Sequence, residues 1–229
     1  MTRLLTNAAK ALASGVAEVA TVVSATEEHS QANANRSRES AIANVRRLCE
    51  LRDASAHRPV VNAAISMALG CSIVGAVDPN EVLRLTEKLF EAGVDMVAIA
   101  DTVGYAGPKQ VGELTAAAVK IAGAKPICIH LHDTRGMGIA NGSAALDAGA
   151  RVLDGSLGGL GGCPFAPGAT GNVVFEDLVF LCESKGFATG IDIEKLIAVR
   201  GILKAEMPDE ALYGGLARAG LPGRTARAA

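Results

Sequence analysis

The sequence predicts an α/β fold in which strands and helices alternate around a parallel sheet, as in a (β/α) barrel. Apolar, β-branched runs of strand length alternate with segments of helical spacing, with one strand about every 30 residues. Polar or glycine-rich residues follow the strands, whereas the links from each helix to the next strand are short. Because the carboxyl ends of the strands carry the chemistry in such barrels, we expect the functional residues there.

The predicted strands are short apolar runs in which β-branched side chains are frequent. They cover residues 3–6 (a weak candidate), 18–23, 59–65, 94–100, 126–132 and 151–156. The polar segment 24–35, which follows the second of these strands, is predicted to be a long loop.

Apolar side chains that recur at three- and four-residue spacing predict the helices. These helices cover residues 6–14, 37–51, 78–93, 108–122, 136–148, 173–184 and 191–205. Ser37 is the predicted N-cap of the second helix. Pro79 lies in the first turn of the third helix, and Gly93 ends it.

Six predicted strands are fewer than the eight that close a TIM (β/α)8 barrel. The expected fold is therefore an incomplete TIM-type barrel of about six βα units with the first two units missing. Residues 1–221 are predicted to form this barrel domain, and residues 222–229 are predicted to be a flexible tail.

Composition narrows the range of function classes. The chain has 229 residues and a formal net charge of −2, which gives no electrostatic reason to expect binding to nucleic acid or an anionic membrane. The apolar runs are far shorter than the ~20 residues of a membrane span, and no signal peptide is visible. The five cysteines are scattered without a CxxC pair, which favours reduced thiols in an intracellular compartment.

Two histidines close the apolar strand at 126–132. Because successive side chains on a strand alternate between faces, His130 and His132 point the same way while Leu131 points away. Two imidazoles at one strand end suit a divalent metal ion. The alternative is a pair of polar strand-end residues that face solvent.

Cys163 lies in a glycine-rich loop, with four glycines among the five residues before it. A lone cysteine is more often a small buried residue than a catalytic one. The glycines favour a functional loop, because they permit close backbone approach to a ligand and closure over a site.

Other polar residues near strand ends are open to two interpretations. Asp101 ends the strand at 94–100 and either orients a ligand or substrate, or caps a helix. Asp133 points away from the two histidines by strand parity. His29 and His57 lie in predicted loops and are expected to face solvent.

Three motifs together resemble 3-hydroxy-3-methylglutaryl-CoA (HMG-CoA) lyase, a member of a group of metal-dependent TIM-barrel lyases and synthases. They are His130-Leu131-His132-Asp133-Thr134, the glycine-rich segment 158–172 and Glu176-Asp177-Leu178. The HxHD strand is shared by the wider group, whereas the Gly-Gly-Cys-Pro-Phe-Ala loop ending in Gly-Asn is specific to the lyase branch. Segments 66–71 and 101–104 also look like strand ends of the family.

The resemblance implies metal-assisted retro-Claisen cleavage of HMG-CoA to acetyl-CoA and acetoacetate. It implies that His130, His132 and Asn172 ligate Mg²⁺ or Mn²⁺, and that Cys163 donates a proton to the enolate of acetyl-CoA. With Cys163, the expected catalytic set includes His130 and Asp101. The implied partner is a small-molecule acyl-CoA, with no nucleic acid and no membrane, and a homodimer is one expected assembly. The expected location is the cytoplasm, or the mitochondrial matrix in a eukaryote.

The sequence departs from this family at its start. The family's first two βα units have no counterpart before Met1, so its Arg-Asp pair and a further acidic residue are unassigned, and activity of the chain alone is in doubt. Three explanations are open: a fragment or start-site error, units supplied by another chain, or a non-catalytic remnant. The alternative functions are a lyase for a longer-tailed 3-hydroxy-3-substituted glutaryl-CoA and a non-catalytic barrel fragment.

Overall fold

A computed structural model of the protein describes residues 3–162 and 171–222. Its sheet has five parallel strands in sequential order. The strands are β1 (Glu18–Ser24), β2 (Val60–Ser66), β3 (Met96–Asp101), β4 (Ile127–Leu131) and β5 (Val152–Asp154). The predicted α/β class and parallel sheet are confirmed.

Helices follow the strands along the chain, as the βα pattern predicts. They are α1 (Arg3–Ala13), α2 (Glu27–Ala34), α3 (Arg38–Asp53), α4 (Pro79–Glu91), α5 (Pro108–Ala122), α6 (Gly138–Asp147), α7 (Phe175–Ser184), α8 (Ile193–Glu206) and α9 (Gly215–Ala219). Within the described ranges, no helix is long and apolar enough to cross a membrane. Of the predicted tail, residues 223–229 lie outside the described residues.

Two predictions for the first 35 residues are wrong. Residues 3–6 are the first turn of α1 rather than a strand. An α-helix satisfies the backbone groups of this short segment internally, whereas a strand needs a neighbour. The predicted loop 24–35 contains α2, which Thr26 caps by accepting a hydrogen bond from the backbone N–H of His29. Because α2 buries only His29 and Ser30, it shows no apolar periodicity.

Alternation along the strands separates two faces of the sheet. One face packs against the helices in the main core, which on β4 includes Ile127, Ile129 and Leu131. The other face carries a smaller cluster that includes Met96, Ala98 and Cys128. Strand parity therefore puts Cys128 and His130 together on the face away from the helices.

Candidate active site

His130 and His132 lie next to each other at the carboxyl end of β4, as strand alternation predicts. Their ring centroids are 5.2 Å apart and the ring planes meet at 68°. His132 is 6% exposed, and Leu131 between them is buried in the core on the helix side. The histidines therefore lie on the side of the sheet that faces away from the helices.

Asn172 lies directly across from His132, with which it forms an antiparallel β-bridge. Its side-chain nitrogen donates hydrogen bonds to the carbonyl oxygen of Leu160 (2.7 Å) and to Oγ of Ser156 (3.1 Å). Its side-chain oxygen, Oδ1, is buried and accepts no hydrogen bond from the residues that the structure describes. A buried amide oxygen without a donor is costly, so this atom is available to a ligand.

Asp154 joins this group, and sequence reasoning did not single it out. It is paired in register with His130 across β4 and β5, and its Oδ1 lies 2.7 Å from Nδ1 of His130. Because an ionised carboxylate only accepts hydrogen bonds, Nδ1 is the donor in this contact, and in the neutral ring this tautomer leaves the lone pair on Nε2. The only signal in the sequence is an acidic residue near the end of a predicted strand, and register cannot be read from that signal.

The donor set fits a divalent cation. It comprises two imidazoles, one of them oriented by a carboxylate, and a buried carboxamide oxygen without a donor. Among residues 3–162 and 171–222, no cluster of three His, Cys, Asp or Glu side chains could hold a metal. The Oδ1 atom of Asn172 is the electron-pair donor that would add a third ligand atom to the histidine pair.

Asp101 is fully buried, and the helix-cap alternative is wrong, because the N-cap of α5 is Gly107 and no side chain caps that helix. Its two carboxylate oxygens accept hydrogen bonds from the backbone N–H groups of Tyr105 (2.9 Å) and Ala106 (3.1 Å). Burial raises the pKa of this carboxyl, while the two amide donors act in the opposite direction. In register it pairs with Leu131, whereas His130 pairs with Ala100. Asp101 therefore shapes the loop after β3, and a catalytic role for it stays a prediction.

The predicted proton donor, Cys163, lies outside the described residues. The loop before it is described, and Gly158, Gly159 and Gly161 all have positive φ there, at 62°, 74° and 91°. A Cβ on Gly161 would lie 2.8 Å from the side-chain nitrogen of Asn172. Glycine is required at this position because the backbone packs against Asn172.

The prediction for His29 is wrong, since this side chain is buried and only 2% exposed. Its Nδ1 lies 2.8 Å from Oγ of Ser24 at the carboxyl end of β1. Burial lowers the pKa of His29. Polar residues of α2 conceal this burial in the sequence. His57, by contrast, is exposed as predicted.

Comparison with known proteins identifies one family over most of the chain. The model of the HMGL-like family matches residues 2–203. A hydroxymethylglutaryl-CoA lyase of Bacillus subtilis is 36% identical over 197 residues, which are 86% of this chain and 65% of that protein. An (R)-citramalyl-CoA lyase of Chloroflexus aurantiacus is 42% identical over 153 residues, which are 66% of this chain and 48% of that protein. The chain thus spans less than two thirds of the length of these curated relatives.

Solved structures give the same result. An HMG-CoA lyase of Acinetobacter baumannii, in complex with coenzyme A and 3-methylmalate, matches with a TM-score of 0.87 and 34% identity. The match covers 96% of this chain and 71% of that one. A hydroxymethylglutaryl-CoA lyase of Pseudomonas aeruginosa matches with a TM-score of 0.84 and 34% identity, over 92% of this chain and 69% of that one.

Proposed function

The chain belongs to the HMGL-like family, and on that basis we propose that it is a metal-assisted carbon–carbon lyase of an acyl-CoA thioester. The proposed substrate is 3-hydroxy-3-methylglutaryl-CoA and the proposed cation is Mg²⁺ or Mn²⁺. One observation carries the proposal: two histidine rings and a buried amide oxygen without a donor lie at the same strand end. Named lyases among the relatives support the choice of reaction.

The proposed reaction breaks one carbon–carbon bond and conserves all atoms. The tertiary hydroxyl loses its proton, its oxygen becomes the ketone of acetoacetate, and the electrons of the broken bond form the enolate of acetyl-CoA. The enolate then takes up a proton to give acetyl-CoA. A bound cation supplies positive charge beside the substrate oxygens, which lowers the cost of deprotonating the hydroxyl by several kcal/mol.

The residues of the chain have separate roles in this proposal. His130, His132 and Asn172 hold the cation. Asp154 keeps the proton on Nδ1 of His130, so that Nε2 is the nitrogen that binds the metal. Cys163 donates the proton to the enolate, since the ordinary pKa of a thiol, about 8.5, lies near working pH.

A second candidate substrate is (R)-citramalyl-CoA. It is favoured by the 42% identity to a lyase named for that substrate, although that match covers a shorter part of the chain. A longer-tailed 3-hydroxy-3-substituted glutaryl-CoA is a further alternative. The three candidate substrates carry different groups on the carbon that bears the hydroxyl. The rate of turnover of each one therefore discriminates between the candidates.

Turnover by the natural gene product with Mg²⁺ tests the proposal. We expect acetyl-CoA and acetoacetate from 3-hydroxy-3-methylglutaryl-CoA, loss of turnover in His132→Ala, and normal turnover in His57→Ala, which changes an exposed histidine. Turnover of (R)-citramalyl-CoA alone would favour the second candidate. A metal-loaded protein that cleaves none of the three substrates would contradict the enzyme proposal and favour a non-catalytic barrel. The 229-residue chain is also assayed, and turnover near that of a complete HMG-CoA lyase would show that the family's Arg-Asp pair is not required.

We also propose a homodimer located in the cytoplasm, or in the mitochondrial matrix if the source is a eukaryote. Relatives named as cytoplasmic and as mitochondrial support both locations. Sedimentation of the purified protein tests the assembly, and a monomer at micromolar concentration would contradict the dimer.

A further inference from the structure

A buried ion pair lies beside the candidate site, and the proposed reaction does not use it. Glu176, in the first turn of α7, is completely buried. Nη1 of Arg200, on α8, donates a hydrogen bond to Oε1 of Glu176 at 3.0 Å, and the Arg200 side chain is 16% exposed. A buried carboxylate requires a charged partner and further donors, so its remaining contacts are informative.

Those contacts are with the start of the glycine-rich loop. Both carboxylate oxygens of Glu176 accept hydrogen bonds from the backbone N–H of Gly158, at 3.0 and 3.2 Å. On the other side, the backbone N–H of Tyr213 donates to the carbonyl oxygen of Gly158 at 2.8 Å. Arg200 also donates to the carbonyl oxygen of Tyr213. Gly158 is therefore held on both sides by groups that Arg200 connects.

The residues that hold Asn172 lie two and three positions after Gly158 in the same loop. The carbonyl oxygen of Leu160 accepts from the side-chain nitrogen of Asn172, and that of Gly161 accepts from its backbone N–H at 3.0 Å. These two contacts fix the side-chain nitrogen and the main chain of Asn172. Oδ1 is then left in a defined place without a donor among the described residues.

We propose that Arg200 is a positioning residue of the metal site, acting through Glu176 and Gly158 on Asn172. This inference depends on the proposed function for the assignment of Asn172 as a metal ligand. Removing Arg200 leaves the Glu176 carboxylate buried without its cation, and the Gly158 segment shifts to admit water. The carbonyl groups of Leu160 and Gly161 move with that segment, so Oδ1 of Asn172 loses its orientation.

Arg52 offers a matched control for a purely structural role. Its side chain is 5% exposed and pairs with Asp95, which directly precedes β3 at the amino end of the sheet. Arg52→Met, like Arg200→Met, removes a largely buried arginine that is paired with a carboxylate. Arg52 lies at the opposite end of the sheet from His132. Loss of stability alone therefore affects Arg52→Met and Arg200→Met alike, whereas loss of positioning affects only Arg200→Met.

Two measurements on the full chain test the inference. The first is the dissociation constant for Mn²⁺, measured by electron paramagnetic resonance titration. The second is hydrogen exchange at the backbone N–H of Asn172. We expect Arg200→Met to weaken Mn²⁺ binding by about tenfold or more and to accelerate exchange at Asn172, with partial recovery in Arg200→Lys. We expect Arg52→Met to change Mn²⁺ binding by no more than about twofold and, because it acts only through global stability, to accelerate exchange at Asn172 less than Arg200→Met does.

The outcomes separate this inference from the proposed function. Equal effects of Arg200→Met and Arg52→Met, or unchanged exchange at Asn172 in Arg200→Met, would overturn the positioning role. If the unmodified chain binds no Mn²⁺, the metal proposal fails. Faster exchange at Asn172 in Arg200→Met alone would then still support a positioning role for Arg200.

Discussion

The two ends of the sheet treat buried polar groups differently. At the amino end, Arg52 donates to Asp53, Asp95 and the carbonyl oxygen of Gly93, so each of its three guanidinium nitrogens has a protein acceptor. At the carboxyl end, the side-chain oxygen of Asn172 is buried without a donor among the described residues.

This difference separates stability from function. A polar cluster whose members satisfy one another stabilises the fold and has no free capacity for a ligand. A buried oxygen left without a donor lowers stability and is retained where a ligand completes it. The carboxyl end, with His130, His132 and Asn172, is therefore the end at which binding is expected, in agreement with the general rule for such sheets.

The largest expected effect tests the carboxyl end directly. His132→Ala removes a proposed metal ligand. Loss of a residue that only hydrogen-bonds to a metal ligand lowers affinity by roughly 10–100-fold, so Mn²⁺ affinity should fall by more than that here. Calorimetric titration measures this change, with His57→Ala as the control on an exposed histidine. Similar Mn²⁺ affinities for His132→Ala and His57→Ala would contradict the proposal that the carboxyl end of the sheet is the binding end.

The next effect tests the amino end. Arg52→Met removes the cation from Asp95, which keeps the backbone N–H of Val61 as a donor and is 45% exposed. The free energy of unfolding should therefore fall by about 2–3 kcal/mol, less than the roughly 3–5 kcal/mol of a fully buried pair. Urea denaturation measures it. Mn²⁺ affinity of the folded variant should be unchanged, and a large loss of affinity would show that the two ends are coupled.

A smaller effect is expected at Asp154. Asp154→Asn replaces an acceptor-only carboxylate with an amide and weakens control of the proton on Nδ1 of His130, so Mn²⁺ affinity should fall by roughly 10–100-fold. Asp133→Asn is the comparison, since Asp133 accepts from the backbone N–H of Gly138 and not from a histidine. If Asp133→Asn weakens binding more than Asp154→Asn, the assignment of Asp154 is wrong.

The smallest effect concerns pH. Because burial lowers the pKa of His29, the folded state binds fewer protons than the unfolded state below the ordinary histidine pKa of 6.5. The free energy of unfolding should therefore decrease as the pH falls below about 6.5, by at most about 1.4 kcal/mol per pH unit. Denaturation of His29→Gln should show a weaker pH dependence, and the exposed His57→Gln should match the unmodified protein. An unchanged slope in His29→Gln would exclude His29 as the source.

Sequence patterns predict the parts of this molecule that depend on local periodicity. The bounds of α5 agree with the prediction residue for residue, because proline in its first turn and glycine after its end define both limits. The shared face of His130 and His132 follows from alternation along one strand. These features need no information about neighbouring elements.

The features that were missed depend on contacts between distant segments. The pairing of Asp154 with His130 requires the register of β4 and β5, and the pairing of Glu176 with Arg200 requires the packing of α7 and α8. Neither is encoded in a local pattern. α2 was missed because its buried face consists of polar residues, including His29.

Pulsed electron paramagnetic resonance of the Mn²⁺-loaded protein tests the central claim most directly. We predict hyperfine coupling from two imidazole nitrogens, reduced to one in His132→Ala and in His130→Ala. A spectrum without nitrogen coupling, or one that neither substitution alters, would contradict a metal site at the carboxyl end of β4.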